Sequence, residues 1–424
     1  MNILILGSGG REHAISWKIS QSEKCRNLYI APGNAGTGLV GNNLSVNIND
    51  FKEVKLNVIE KSIDLVIVGP EEPLVRGIVD FFKSDDELKH VKIFGPSSEG
   101  SKLEGSKDFS KEFMFRNNIP CAKSKTFNKN NLSEGISFLE KINPPYVLKA
   151  DGLAAGKGVL ILDNLEEAKS ELSKMILDEK FGDASKNVLI EEYLDGIEVS
   201  VFAITDGHNY IILPEAKDYK RIGEGDTGLN TGGMGAVSPV NFADNEFMKK
   251  VEDSVIRRTV NGIKKEKLDY KGFIFAGLMN VNGEPYVIEY NVRMGDPETQ
   301  VVIPRIKNDL LNVFIKCLNE KINEVELDIE NNFTTTVILA ADGYPESYKK
   351  GDDIRNLEEF SNSKIFHAGT KKENNRILSN GGRVIACTGY GESLQDALKN
   401  SYKLADSISW DNKYFRKDIG EDLK

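Results

Sequence analysis

Cysteine is scarce and unpatterned in this chain. The four residues Cys25, Cys121, Cys317 and Cys387 lie far apart with no CxxC pair among 424 residues. That spacing argues against a zinc knuckle or a disulfide framework and for reduced thiols in a cytosolic protein. Basic charge is also in deficit, with 55 Lys and Arg against 65 Asp and Glu and a net charge of −10. A nucleic-acid or anionic-membrane surface needs a basic field, so neither nucleic acid nor membrane is expected as a partner. A phosphorylated small molecule stays compatible where basic groups gather locally. No apolar run approaches the length of a transmembrane helix. The opening stretch Asn2-Ile-Leu-Ile-Leu-Gly7 is too short for a signal sequence and has no basic lead, which makes the cytoplasm the expected location. Internal repeats and low-complexity tracts are absent too.

What remains is ordinary globular composition at a length that predicts about three domains. Short apolar runs at 3–6, 28–31, 65–68 and 91–94 are separated by helix-length segments, the pattern of βαβ units around a parallel sheet. Each run ends in a Gly or Pro turn: Gly7 to His13, Pro32 to Gly36, Gly69-Pro70-Glu71-Glu72-Pro73, and Gly95-Pro96-Ser97. Ligands of open α/β sheets bind at such strand ends. We therefore expect an α/β multidomain protein whose N-terminal domain, 1–103, is Rossmann-like and binds substrate. A helix is predicted over 107–116, strands over 146–149, 159–162, 198–204, 273–280 and 286–290, a helix over 309–319, and a polar linker over 323–332. Strands at 334–340, 364–368 and 383–390, with a helix from Ser393, predict a small β-rich C-terminal domain over 328–424.

Four segments carry chemistry. Lys149-Ala-Asp-Gly-Leu-Ala-Ala-Gly-Lys-Gly158 lies between two predicted strands, where glycines let backbone N–H groups approach a polyphosphate and two lysines supply charge. It is not a P-loop, because Gly158 stands where Ser or Thr is required. Val188 to Leu194 is an apolar strand running into Glu191, Glu192 and Tyr193, with Glu198 beyond; it suits an adenine and ribose slot, but taken alone it reads better as a plain strand-to-loop transition with solvated acids. In Tyr286-Val-Ile-Glu-Tyr-Asn-Val-Arg293, strand alternation puts Glu289, Asn291 and Arg293 on one face and Ile288, Tyr290 and Val292 on the other. Two oxygen ligands and a guanidinium make a place for Mg²⁺ bridging nucleotide phosphates. The loop from Asp226 to Ala236, preceded by Lys217, Lys220 and Arg221, is dense in Gly, Thr and Asn and reads as a substrate loop.

The order of a lysine-bearing phosphate loop, a Glu-Glu-Tyr-Leu hinge and Glu-x-Asn-x-Arg resembles the ATP-grasp superfamily. Within it, Gly9-Gly-Arg-Glu-His-Ala14, Pro32-Gly-Asn-Ala-Gly36, Val68-Gly-Pro-Glu-Glu-Pro-Leu74, Asp226 to Ala236 and Asn291 to Gln300 resemble the phosphoribosylamine–glycine ligase family along essentially the full chain. Leu229 stands where the family pattern has Pro, and Met294 where it has Phe. The resemblance implies an ATP-grasp domain over 104–327 with a lid subdomain over about 122–193. It also implies a purine-biosynthesis ligase that uses ATP and Mg²⁺ or Mn²⁺ to join glycine to 5-phosphoribosylamine through glycyl phosphate.

Residue roles follow from the same resemblance. Lys107, Lys149, Gly156, Lys157 and Gly158 contact phosphates, while Glu191, Tyr193 and Glu198 contact adenosine. Glu289 and Asn291 hold the metal. Gly9, Gly10, Arg11, Glu12 and His13, with Gly69, Pro70 and Glu71, hold the ribose phosphate. Asp226, Asn230 and Arg293 lie near glycine, and Arg293, Lys149 and Asp226 are the expected catalytic groups. A monomer or weak dimer is expected, with no further fused enzyme after Lys424. A bicarbonate-dependent carboxylating relative and a non-catalytic nucleotide-binding module are the competing readings.

Overall fold

The computed structural model describes residues 1–152 and 158–424. At the N-terminus a five-stranded parallel sheet runs in the order Asn42–Asn43, Asn27–Pro32, Asn2–Gly7, Leu65–Val68, Lys92–Phe94. Four of these strands are the predicted apolar runs. They are apolar because a parallel sheet is covered on both faces; Ile3 and Ile5 enter one core and Leu4 and Leu6 another. The two-residue edge strand Asn42–Asn43 has no apolar signal.

The middle of the chain forms two antiparallel four-stranded sheets. One, in the order Ser124–Asn128, Asn187–Glu191, Tyr146–Ala150, Val159–Leu162, carries the helices Leu132–Leu139 and Leu165–Leu177. It has its own core of Phe127, Leu148, Leu172, Met175, Val188 and Ile190. The other runs Tyr210–Ile212, Ile197–Thr205, Gly272–Val281, Glu284–Asn291. Val201, Ile274, Val287 and Tyr290 join it to the core that Leu4 and Val66 share. Residues 192–196 link the two sheets.

Alternation in the strand Glu284–Asn291 fails at one place. Leu278 pairs with Val287 and Gly277 with Glu289, leaving Ile288 unpaired in a bulge. Val287, Tyr290 and Val292 fill the core and Ile288 does not. The expected placement of Ile288 with Tyr290 and Val292 is thus corrected: an extra residue shifts the period of two by one.

The C-terminal sheet, in the order Lys217–Asp218, Gly235–Ser238, Phe333–Ala340, Arg383–Gly391, Ser363–His367, is covered by the helix Leu394–Ser407. Its first two strands come from the glycine-rich region of the middle segment, so this sheet draws on both sides of residue 328. Those strands have two and four residues, too short to show a period.

Candidate active site

One end of the candidate site is built on the strand ends Lys149 and Glu191, which the register places on neighbouring strands. Lys149 Nζ lies 2.8 Å from Glu191 Oε2 and Lys111 Nζ 3.4 Å from the same oxygen. All three side chains are buried, Glu191 at 3% exposure. Burial opposes ionisation of Glu191, but Lys149 and Lys111 outweigh it and hold the carboxyl below its usual range. Its Oε1 has no hydrogen-bond partner among the described residues. Lys107 Nζ donates to the Gly152 carbonyl at 3.2 Å, and burial lowers its ammonium from the usual range. The Asp151 carboxylate fixes the same helix start, accepting from Asp108 N–H at 2.8 Å and Ser106 Oγ at 3.1 Å. Gly158 closes the strand pair, its carbonyl accepting from Ala150 N–H at 2.8 Å. Gly156 and Lys157 lie outside the described residues. Lys111 was not singled out from sequence, although it stands four residues after Lys107 on the helix Lys107–Arg116, a spacing that shares a face.

On the facing sheet, the bulge leaves Glu289 and Asn291 on the side opposite Val287 and Tyr290. Burial opposes the charge on Glu289, yet Lys220, Lys149, Lys107 and Arg293 together hold it below its usual range. Lys220 Nζ is 2.5 Å from Glu198 Oε2; burial opposes its charge, but Glu198, Asp218 and Glu289 together keep it a cation. Tyr193, in the link between the sheets, is exposed. No group of three or more His, Cys, Asp or Glu among the described residues encloses a metal. A pair of hard oxygens, one of them anionic, fits an ion that completes its shell with phosphate and water.

Arg293 follows directly after this strand. Its Nη2 pairs with Glu104 Oε1 at 2.7 Å and its Nε with Glu71 Oε2 at 3.3 Å. Glu104 also accepts the Val292 N–H at 2.8 Å through Oε2, so one buried carboxylate orients both the guanidinium and the backbone after Asn291. Burial raises the Glu104 carboxyl despite Arg293. Glu71 goes the other way: Arg293 and Arg11 overcome its burial. Nothing local in the sequence marks Glu104.

The first turn is packed with carboxylates. The helix Gly10–Ile19 begins there, and Glu12 Oε2 accepts the Gly9 N–H at 2.6 Å while Asp296 Oδ2 accepts the Arg11 N–H at 3.3 Å. Arg11 is itself tied to Glu12 Oε1 at 2.6 Å and to the Met294 carbonyl at 3.0 Å. A Cβ on Gly69 would stand 2.2 Å from Glu12 Oε1, so Glu12 needs glycine there. Gly10 packs against Gln300 in the same way. Pro70 caps the short helix that carries Glu71. Two amides that a phosphate would use are therefore already engaged by acids. His13 is buried and faces away from this cluster: its Nδ1 accepts the His367 N–H at 2.8 Å, and its ring meets Phe366 edge-on. It ties the N-terminal helix to the C-terminal sheet.

Asp226 and Asn230 sit on the hairpin Arg221–Gly223 with Thr227–Asn230. Asn230 pairs with Arg221. Asp226 is 60% exposed, and its Oδ1 lies 2.7 Å from Arg416 Nη1. The structure thus commits this carboxylate to the C-terminal tail rather than to Arg293. Beyond the hairpin, Arg383 Nη1 donates to Gly232 O at 2.7 Å and to the Asp296 carbonyl.

Known proteins resemble this chain in sequence and fold. Residues 1–104 match the N domain, 105–299 the ATP-grasp (A) domain and 334–422 the C domain of phosphoribosylglycinamide synthetase. The phosphoribosylamine–glycine ligase of Fusobacterium nucleatum is 45% identical over 99% of this chain and 98% of that protein. That of Haemophilus influenzae is 43% identical with the same coverage. The crystal structure of phosphoribosylamine–glycine ligase from Thermotoga maritima superposes with a TM-score of 0.85 at 37% identity, covering 99% of this chain and 100% of that one. A biotin carboxylase domain from Hydrogenobacter thermophilus, 16% identical, shares the fold with a TM-score of 0.75 over 100% of this chain and 95% of that one. The chain belongs to the phosphoribosylglycinamide synthetase, or phosphoribosylamine–glycine ligase, family of ATP-grasp enzymes.

Proposed function

We propose that this chain uses ATP to join the carboxylate of glycine to the amine of 5-phosphoribosylamine, releasing ADP and phosphate and forming glycinamide ribonucleotide in purine biosynthesis. The observation that carries the reading is the opposed charge of the two ends of the site: Glu191 between Lys149 and Lys111, and Arg293 between Glu71 and Glu104. The lysine-rich end suits a polyphosphate, with Lys107 and Lys149 on its oxygens and Tyr193 and Glu198 beside the nucleoside. Glu289 and Asn291 would hold Mg²⁺ or Mn²⁺, which supplies charge neutralisation at the phosphoryl oxygens.

Arg293 stands two residues beyond Asn291 and holds the glycine carboxylate for attack on the γ-phosphorus. One carboxylate oxygen bonds to phosphorus, ADP leaves, and glycyl phosphate results. The amine nitrogen then attacks the acyl carbon, phosphate leaves with that oxygen, and the nitrogen loses a proton. The acid-rich junction of Glu71, Glu12 and Asp296 suits the amine end of phosphoribosylamine better than its phosphate, because it accepts hydrogen bonds where a phosphate needs donors. No side-chain nucleophile takes part; positioning and electrostatics supply the rate.

The test is isotopic. Oxygen-18 placed in the glycine carboxylate is expected in the released phosphate, with ADP formation dependent on glycine and indifferent to bicarbonate. Bicarbonate-dependent ATP cleavage without glycine would overturn the reading.

A further inference from the structure

The hairpin formed by Arg221–Gly223 and Thr227–Asn230 has little to hold it. Residues 224–229 are all exposed, the register slips between Arg221 and Gly223, and a lone two-stranded hairpin is marginal in water. Asp226 adds a positive φ of 53°, a region that non-glycine residues seldom occupy. Yet the hairpin's base carries Lys220, whose carbonyl accepts from Thr231 N–H at 2.7 Å and Thr231 Oγ1 at 2.8 Å and whose ammonium pairs with Glu198.

The order comes from the end of the chain. Arg416 is 1% exposed, and its Nη1 reaches both the Arg221 carbonyl at 3.1 Å and Asp226 Oδ1 at 2.7 Å. Asp418 grips the other edge of the same guanidinium, its Oδ1 accepting from Nε at 2.8 Å and its Oδ2 from Nη2 at 2.7 Å. Asp418 Oδ2 also accepts the Gly225 N–H at 2.8 Å. Tyr414 OH donates to the Ile222 carbonyl at 2.7 Å. The tail is anchored in turn: Tyr402 OH, on the helix Leu394–Ser407, donates to the Arg416 carbonyl at 3.1 Å, and the Arg416 guanidinium lies 5.3 Å from the Tyr219 ring centre. A buried Arg that spans two carboxylates and a carbonyl is a rigid strut, since its planar fork fixes each partner's direction.

We propose that the C-terminal tail straps the hairpin in place, and that Arg416 is a positioning residue which, through the Arg221 carbonyl and Asp226, sets Lys220 against Glu198 and Glu289. This rests on the reading of Lys220 as part of the ligase site. Loss of the strut frees the hairpin, lets the Lys220 ammonium wander, and weakens turnover without touching a reacting atom.

Lys220→Met, Arg416→Ala and the double variant, assayed on the full chain with glycine, phosphoribosylamine and ATP, separate the possibilities. Each single change is expected to lower kcat/KM by roughly 10- to 100-fold, the scale of an ångström misplacement. The double variant is expected to fall no further than Lys220→Met alone, because Arg416 acts through Lys220. Hydrogen exchange should quicken at the amides of residues 221–230 in Arg416→Ala. If Arg416→Ala does not fold, Asp226→Asn, altering an exposed side chain, tests the same strut with a smaller loss. Losses that multiply in the double variant, or wild-type turnover in Arg416→Ala or its Asp226→Asn substitute, overturn the strap. Wild-type turnover in Lys220→Met overturns the site reading beneath it instead.

Discussion

At one end of the site a carboxylate lies between two lysines; at the other an arginine lies between two carboxylates. Both clusters are ion triads, the first joining two strand ends to a helix and the second joining two helices to the residue two beyond a strand. With every group ionised, Lys149–Glu191–Lys111 carries one net positive charge and Glu71–Arg293–Glu104 one net negative charge. Taking several charges out of water is costly, and such clusters seldom stabilise a fold beyond what apolar packing would give. What they do supply is a fixed potential of defined sign. On the function proposed above, the comparison gives the two ends opposite guests: a polyphosphate for the lysines of the first, and for the second an amine at Glu71 beside the glycine carboxylate at Arg293.

The largest expected effects come from breaking each triad at the residue that the proposed function sets against substrate. Lys149→Met should lower kcat/KM for ATP by about 10²–10³, the scale of removing one preorganised charge donor, and leave the KM for phosphoribosylamine nearly unchanged. Glu71→Gln should do the reverse, costing about tenfold to 10² in kcat/KM for phosphoribosylamine while ATP binding stays near wild type. Steady-state kinetics with each substrate varied in turn reads both. If both variants damage the same substrate, the two ends are not separate in function and the contrast fails.

Smaller effects are expected one contact further out. Lys111→Met leaves Glu191 with Lys149 alone, and Glu104→Gln leaves Arg293 with Glu71 alone. Each should cost about tenfold in the kcat/KM of its own end, since the outer partner orients the inner one. Because breaking a buried pair also strands its partner, about 3 kcal/mol of stability is at risk in each variant, so urea unfolding must accompany the kinetics. Loss of stability with unchanged kcat/KM would mark either residue as purely structural.

How much of this contrast could be read from the sequence differs between the ends. Lys149 and Glu191 follow continuous apolar runs that show no period of two, and only strand pairing brings them together, whereas Glu289 and Asn291 stand two apart on one strand, so their shared face follows from spacing alone. Only the bulge at Ile288 disturbs that reading, and a bulge leaves no trace in composition. Glu104 is different, because its partner Arg293 is 189 positions away and such pairing is decided by how the N-terminal sheet docks on the middle one. The same holds for Asp226, where a Gly-rich loop suggested a substrate contact and a partner at Arg416 supplied the structure's answer. His13 falls between the cases: it belongs to a turn full of ligand-like residues, but it is the first buried turn of a helix, and the third dimension turns it towards His367.

That histidine contact gives the smallest expected effect, and it is read in pH. His13 and His367 are both buried, and His13 Nδ1 can accept the His367 N–H only while the ring is neutral. Burial, with His367 and Lys364 nearby, holds His13 well below its ordinary value, and burial with Lys364 lowers His367 to about 4. At these two histidines the unfolded chain therefore binds more protons than the folded one between about pH 6.5 and 4, so the stability they contribute is full above about pH 6.5 and falls as pH drops through that window. His367 alone accounts for about 3 kcal/mol over that range. This histidine contribution belongs to the joint between the N-terminal helix and the C-terminal sheet and not to either triad. His13→Gln should flatten the decline of unfolding free energy below pH 6.5 and, since the ring touches neither end of the site, change kcat/KM for either substrate by no more than about twofold. Urea titrations at pH 7.5, 6.5 and 5.5 decide the first point. An equal slope in wild type and His13→Gln would remove His13 from the joint, and a large loss restricted to phosphoribosylamine would return it to the amine end of the site.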